Sequence, residues 1–373
     1  MKTTPWQTFR FAFLYLNSQP STYLITTLIS NSSYLGWLAI LFGSILSFLI
    51  LWCTVRVGMW NPEKPWLDFG EELVSKWIHV LILLLLSYWA VSYAAVDIES
   101  FTLFYGSNYM ENTPQWFIQA ILGIVIIITA RWGFRTIVYL SDGLFLLTVI
   151  VLVLTISSFV KDADPNMLTG FFSPHGYDSL SVDTLTVLSY LGEWGVFLFI
   201  APYLKIGWRT MRNLFCAGLL VILAVTLQWA LTFLNFGPHL GKMMQYPLIE
   251  LLRSSVTGIM GNTDPLIIGL WSSSMFIHSA FLIHVASLCL AKVFRTPNLQ
   301  KTFVTLLGGT ATVAAFQFSR DPILYQIQVN SLPVVLFWII VECIPVYYWI
   351  VTLFHSKKQV SDKQEVKTYK ELS

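Results

Sequence analysis

The chain has 373 residues, 55% hydrophobic and only 11% charged, with a formal net charge of +2 and a mean hydropathy of +0.66. Soluble proteins carry roughly 25% charged residues, so this composition excludes an ordinary soluble domain. So small a net charge, without a basic stripe, gives no footing for a nucleic acid partner; the class that remains is an all-α polytopic membrane protein.

A spanning helix needs about 20 mostly apolar residues. Ten segments meet or approach that length: 6–28, 35–55, 77–97, 114–130, 136–160, 184–205, 213–236, 265–293, 302–318 and 332–354. They place 1–355 in a single transmembrane domain and leave 356–373 as a charged, solvated tail. The basic amino terminus has no small-residue cleavage site after its apolar run, which marks a retained first span. Between the second and third segments, WLDFGEELVSKW has the pattern of a short amphipathic helix at the interface.

Ten spans put both termini on one side. Of the 22 Lys and Arg residues, only Lys161, Lys242, Arg253 and Arg320 fall on the opposite side, an asymmetry of 18 to 4 that places both termini in the cytoplasm. The longest external loop, 237–264, contains PLIELLRS and reads as a short helix on the outer face.

Two of the ten segments are interrupted. The first loses its apolar character at Asn17, Ser18, Gln19, Pro20, Ser21 and Thr22, and Pro20 removes a backbone donor. The sixth, TLTVLSYLGEWGVFLFIAPYLK, carries Gly192, Glu193 and Gly195 near its middle. Each glycine costs about 1 kcal/mol of helix stability and a carboxylate at membrane depth at least about 2.5 kcal/mol. Broken membrane helices persist where the freed backbone groups line a cavity. Since five is odd, two groups of five lie in opposite orientations, and a pair of interrupted helices at corresponding positions points to a 5+5 inverted repeat with its site between helices 1 and 6. The freed amides of a half-helix can hold a carboxylate, so a small zwitterion is the natural ligand. Glu193 then meets its ammonium or binds a coupling proton.

The segment YLGEWGVFLFIAPYLK, with Gly-Glu in mid-span and Pro-Tyr-Leu-Lys at its end, resembles the sixth helix of the spore germination permease family. These are the B subunits of bacterial endospore germinant receptors, within the amino acid, polyamine and organocation superfamily (LeuT/APC-like fold). The resemblance implies a subunit in the spore inner membrane that senses a small germinant, often an amino acid, beside an A subunit and a lipoprotein C subunit. By position it implies a site walled by Gln19, Pro20 and Ser21, by Tyr88 and Ser92, by Gly192 and Glu193, and by Ser273 and Phe276. Amino-acid binders of the superfamily usually have glycines at the first break, where this chain has Asn-Ser-Gln-Pro-Ser-Thr. That leaves room for a ligand other than a simple α-amino acid.

The remaining polar residues read more plainly. Tyr88, Ser92 and Tyr93 serve either as interhelical hydrogen-bond partners or as ligand contacts. Ser272, Ser273 and Ser274 favour close helix packing, and His278 and His284, six apart, are no metal pair. Asp142 is placed to pair with Arg131 or Arg135, Glu342 is a deep structural acid or a second proton-accessible one, and Asp97, Glu99 and Glu111 read as a solvated outer vestibule. Cys53, Cys216, Cys289 and Cys343 are small side chains in apolar segments, with no CxxC. No nucleophile elbow, phosphate loop or metal spacing supports an enzyme, and no cofactor is expected. A proton-coupled permease and a purely structural subunit are the competing functions.

Overall fold

The computed structural model describes residues 3–62, 64–160, 163–172, 176–201, 203–204, 206–244, 246–247, 250 and 264–355. These form helices and connecting turns, with no strand among the described residues. Thirteen α-helices are named here in chain order: α1 Pro5–Leu16, α2 Ile25–Asn31, α3 Gly36–Gly58, α4 Trp66–Leu73, α5 Lys76–Asn108, α6 Gln115–Trp132, α7 Phe134–Phe159, α8 Leu180–Leu191, α9 Trp208–Met243, α10 Asp264–Val293, α11 Gln300–Phe318, α12 Pro322–Val329 and α13 Leu332–Glu342.

Among the described residues, seven helices are long and apolar enough to cross a membrane. An eighth candidate is a pair, 297–318 with 322–329, bent by 113°. Asp321 makes that bend by capping α12, its side chain accepting from Leu324 N at 2.9 Å. The expected first and sixth spans are absent from this set because each is broken.

α1 opens with a capping box, Thr4 and Gln7 exchanging side-chain and backbone hydrogen bonds, and has Pro5 in its first turn. It stops at Leu16, the residue whose carbonyl the Pro20 ring would strike if the helix continued. A turn, then a π-helical turn over Pro20–Leu24, leads into α2. Phe11 to Leu16 are all buried, so α1 runs through the middle of the bundle. Phe11 lies edge-on to Phe134, Phe197 and Phe281, at ring separations of 5.4, 5.9 and 4.9 Å.

α8 ends at Leu191 with Gly192 as its C-cap, and the chain continues as a tight 3₁₀ stretch, Glu193–Ile200, starting with Trp194 N donating to Gly192 O at 2.6 Å. The freed Leu191 carbonyl accepts from Ser47 Oγ of α3 at 2.5 Å. Gly192 is required here for space: its φ is an ordinary −88°, but a Cβ would lie 2.3 Å from Glu342 Oε2. Gly195 likewise leaves room for Pro345, which a Cβ would approach to 3.2 Å.

Two expectations are corrected. α5 does not end near Asp97 but continues to Asn108, and both Asp97 and Glu99 are buried, because this half of the helix lies against α6 and α10. Asp142 pairs with Arg10 of α1 at 3.2 Å and accepts from Gln7 at 2.8 Å, rather than meeting Arg131 or Arg135. The expected short amphipathic helix is present as α4, with Trp66, Phe69 and Leu73 buried on its apolar face, and Lys292 of α10 holds it through Asp68 at 2.7 Å. The expected tail and most of PLIELLRS lie outside the described residues.

Candidate functional site

The two breaks meet. From α1, the Tyr15 hydroxyl donates to Glu193 Oε2 at 2.5 Å. From α10, His278 Nε2 lies 2.9 Å from the same oxygen, and its Nδ1 lies 2.6 Å from Asp97 Oδ2 on α5. Ser279 Oγ donates to Asp97 Oδ2 at 2.6 Å, and the Gln19 side-chain amide donates to Asp97 Oδ1. Every member of this network is buried: Tyr15, Gln19, Asp97, Glu193, His278 and Ser279.

With a carboxylate against each ring nitrogen, His278 can donate to both only as an imidazolium. In that form one cation sits between two anions, and each charge has a hydrogen-bonded partner, the condition under which buried charges persist. The network joins four segments, the first break, α5, the sixth-span break and α10.

A cavity of about 370 Å³ adjoins it. Gln19 is common to both, its amide bonded to Asp97 while the residue lines the cavity. Tyr23, Thr26, Ser100, Tyr190, Tyr246, Tyr325, Gln326 and Trp338 form much of the remaining wall, and Lys242, Met243 and Met244 stand at the end of α9. Asn213, at the start of α9, donates to Pro5 O at 2.7 Å, so Lys242 belongs to the end of the bundle remote from the amino terminus. Tyr325 fastens α12 across the cavity, its hydroxyl 3.1 Å from Val96 O and 3.0 Å from Ser100 Oγ. Beyond it, Asp183 is buried and accepts from Asn31 at 3.0 Å and from Ser32, joining the end of α2 to the start of α8.

The residues expected at the site divide. Gln19, Pro20, Gly192 and Glu193 are buried at the breaks. Ser21 lies in the π-helical turn, and its side chain is outside the described set. Tyr88 is on the outer surface, 66% exposed and edge-on to Phe337, because its position on α5 is rotated away from the face carrying Asp97. Ser92 is half-buried and belongs to neither the cavity wall nor the network. Ser273 bonds back to Gly269 O at 2.6 Å and, with Phe276, lines a separate lateral groove beside Phe101 and Ile121. It is Ser274, one residue on, that reaches inward and donates to Leu14 O.

Tyr15, Asp97, His278 and Ser279 were not among the expected site residues. A signal exists for Asp97: Ala90, Ala94 and Asp97 recur at helical spacing, and small residues there let another helix approach. No group of three or more His, Cys, Asp or Glu able to hold a metal occurs among the described residues.

A solved structure of a Na⁺-coupled sialic acid symporter, in a substrate-bound outward-open state, superposes with a TM-score of 0.63 at 11% sequence identity, covering 92% of this chain and 79% of that one. At that identity the likeness is one of fold. No curated protein matches the sequence. The family model described as "Spore germination protein" matches residues 4–321, and this integral membrane protein therefore belongs to the spore germination permease family.

Proposed function

We propose that the chain is the germinant-binding B subunit of a spore germinant receptor, working in the spore inner membrane beside an A subunit and a lipoprotein C subunit. The observation that carries this reading is Gln19: one side chain walls the cavity and donates to the network that ties both breaks. A ligand that engages Gln19 changes the hydrogen bonding of Asp97 and, through His278, of Glu193. It shifts the bundle between conformations only through its differential affinity for them, and the partner subunits read the shift. The two interrupted segments, counted with the seven helices and the bent pair, bring the spans to ten, consistent with a 5+5 inverted repeat and cytoplasmic termini.

The lining also narrows the ligand. Lys242 is its only charged side chain among the described residues, and no carboxylate faces the cavity. Glu193 already accepts from Tyr15 and sits against His278, so it is not waiting for an ammonium. The wall suits a small polar molecule bearing hydroxyl, amide or acidic groups better than an amine.

The test is a germinant panel on spores lacking the gene and complemented with wild type or Gln19→Ala. A lost response restored by wild type but not by the variant, at equal protein level, supports the reading. An unchanged response in the deletion refutes it. The second reading, a proton-coupled amino acid or amine permease, is favoured by the imidazole between two acids. Sustained uptake of a labelled solute by vesicles containing this chain alone would establish it.

A further inference from the structure

Glu342 takes no part in the network just described. It ends α13 at a one-residue turn in the last span, just before Pro345, which has no backbone N–H to donate, and it is 2% exposed. Its Oε2 occupies the space where a Gly192 side chain would stand, and Pro345 faces Gly195 in the same way. Two residues three apart on the last span thus fill two notches three apart on the broken one. Neither oxygen of Glu342 has a hydrogen-bond partner among the described residues.

A buried carboxylate with no cation and no donor is costly, and a group in that position neutralises instead. Among the described residues, the titratable groups around it offer no positive partner. Glu193 follows Gly192 on the broken segment, Tyr15 and Tyr93 approach from α1 and α5, and Cys343 is its chain neighbour. The imidazole of His278 already lies between Asp97 and Glu193. The cavity lies close by: Trp338, one turn before Glu342, and Tyr190, two residues before Gly192, both line it.

We propose that Glu342 is a proton-binding site, a neutral carboxylic acid seated in the Gly192 notch that exchanges its proton through the cavity. Ionised, it faces Glu193 without compensation, and the last span loses its seat against the break. Uptake forms one O–H bond on a carboxylate oxygen and breaks one O–H bond of a hydronium ion, which is left as water; nothing else changes. Protonation of Glu342 belongs to the ligand-free chain and is independent of the identity of any germinant.

The experiment is infrared spectroscopy of the full chain in lipid nanodiscs, comparing acidic with alkaline buffer in H₂O and D₂O. Wild type shows a protonated-carboxyl C=O stretch with a component that vanishes in Glu342→Gln, survives in Glu193→Gln and moves in frequency in Glu342→Asp. The aspartate variant decides the matter should the glutamine variant fail to fold. Loss of the whole band from wild type, or a spectrum unaltered by every Glu342 substitution, overturns the proposal. So does a missing component accompanied by a thermal midpoint that rises with Na⁺, because a metal cation then fills the site. In a pH series, the wild-type midpoint falls as the buffer is made alkaline, since unfolding frees Glu342 to ionise, and Glu342→Gln flattens that slope.

Discussion

Tyr15 donates its hydroxyl to Glu193 at 2.5 Å, joining the last turn of α1 to the first residue after the break in the sixth span. The bond crosses 178 residues of chain, so the two interrupted segments cannot separate without breaking it. Each carries its irregular backbone to the same point, and that point is held by side chains.

Removing the central imidazole tests the network. His278→Ala leaves Asp97 and Glu193 buried with their shared cation gone, a loss of about 3–5 kcal/mol for a broken buried pair. The expected result is a marked fall in thermal midpoint in detergent. Glu193→Gln retains an acceptor for Tyr15 and is expected to be milder on stability while abolishing the germination response.

Glycine substitutions separate space from propensity. Gly192→Ala drives a Cβ to 2.3 Å from Glu342 and 2.7 Å from the Leu188 carbonyl, so the break or the last span has to move. Gly309→Ala on α11 meets nothing within 4 Å and is expected to gain up to about 1 kcal/mol of helix stability. Thermal unfolding of the two variants side by side should move the midpoint in opposite directions.

Arg10 and Asp142 are partly exposed at the amino-terminal end, with side-chain exposures of 37% and 20%. A pair so placed contributes at most about 1 kcal/mol. A double-mutant cycle with Arg10→Ala and Asp142→Ala is expected to give a coupling within that bound, decreasing with added salt.

Position on α5 decides which of its polar residues matter. Tyr88→Ala alters an outward-facing ring and is expected to leave the germination response intact. Asp97→Asn, on the buried face, is expected to reduce it severely at equal protein level. Equal responses from the two variants would remove α5 from the site.

What could be read in the sequence and what could not follow from the range of the interactions. Pro20 and Gly192 interrupt helices by local chemistry, so both breaks were visible in the residues themselves. Asp97 gave the impression of a solvated acid because its partners, Gln19 and His278, are 78 and 181 residues away. Ser273 was expected inside and Ser274 is the one that points inward, since one residue turns a helix by about 100°. The notch that receives Glu342 was illegible for the same reason: a glycine announces missing volume but not what fills it.

The short helix α4 gives the molecule a sidedness. Trp66 wedges between Phe199 of the 3₁₀ stretch and Tyr348 of the last span, at ring separations of 5.5 and 5.1 Å, while Lys292 clamps Asp68 and Glu71. One indole thus braces the broken segment against the last span, so a change in the tilt of either is felt at α4 and, through Lys292, at the end of α10.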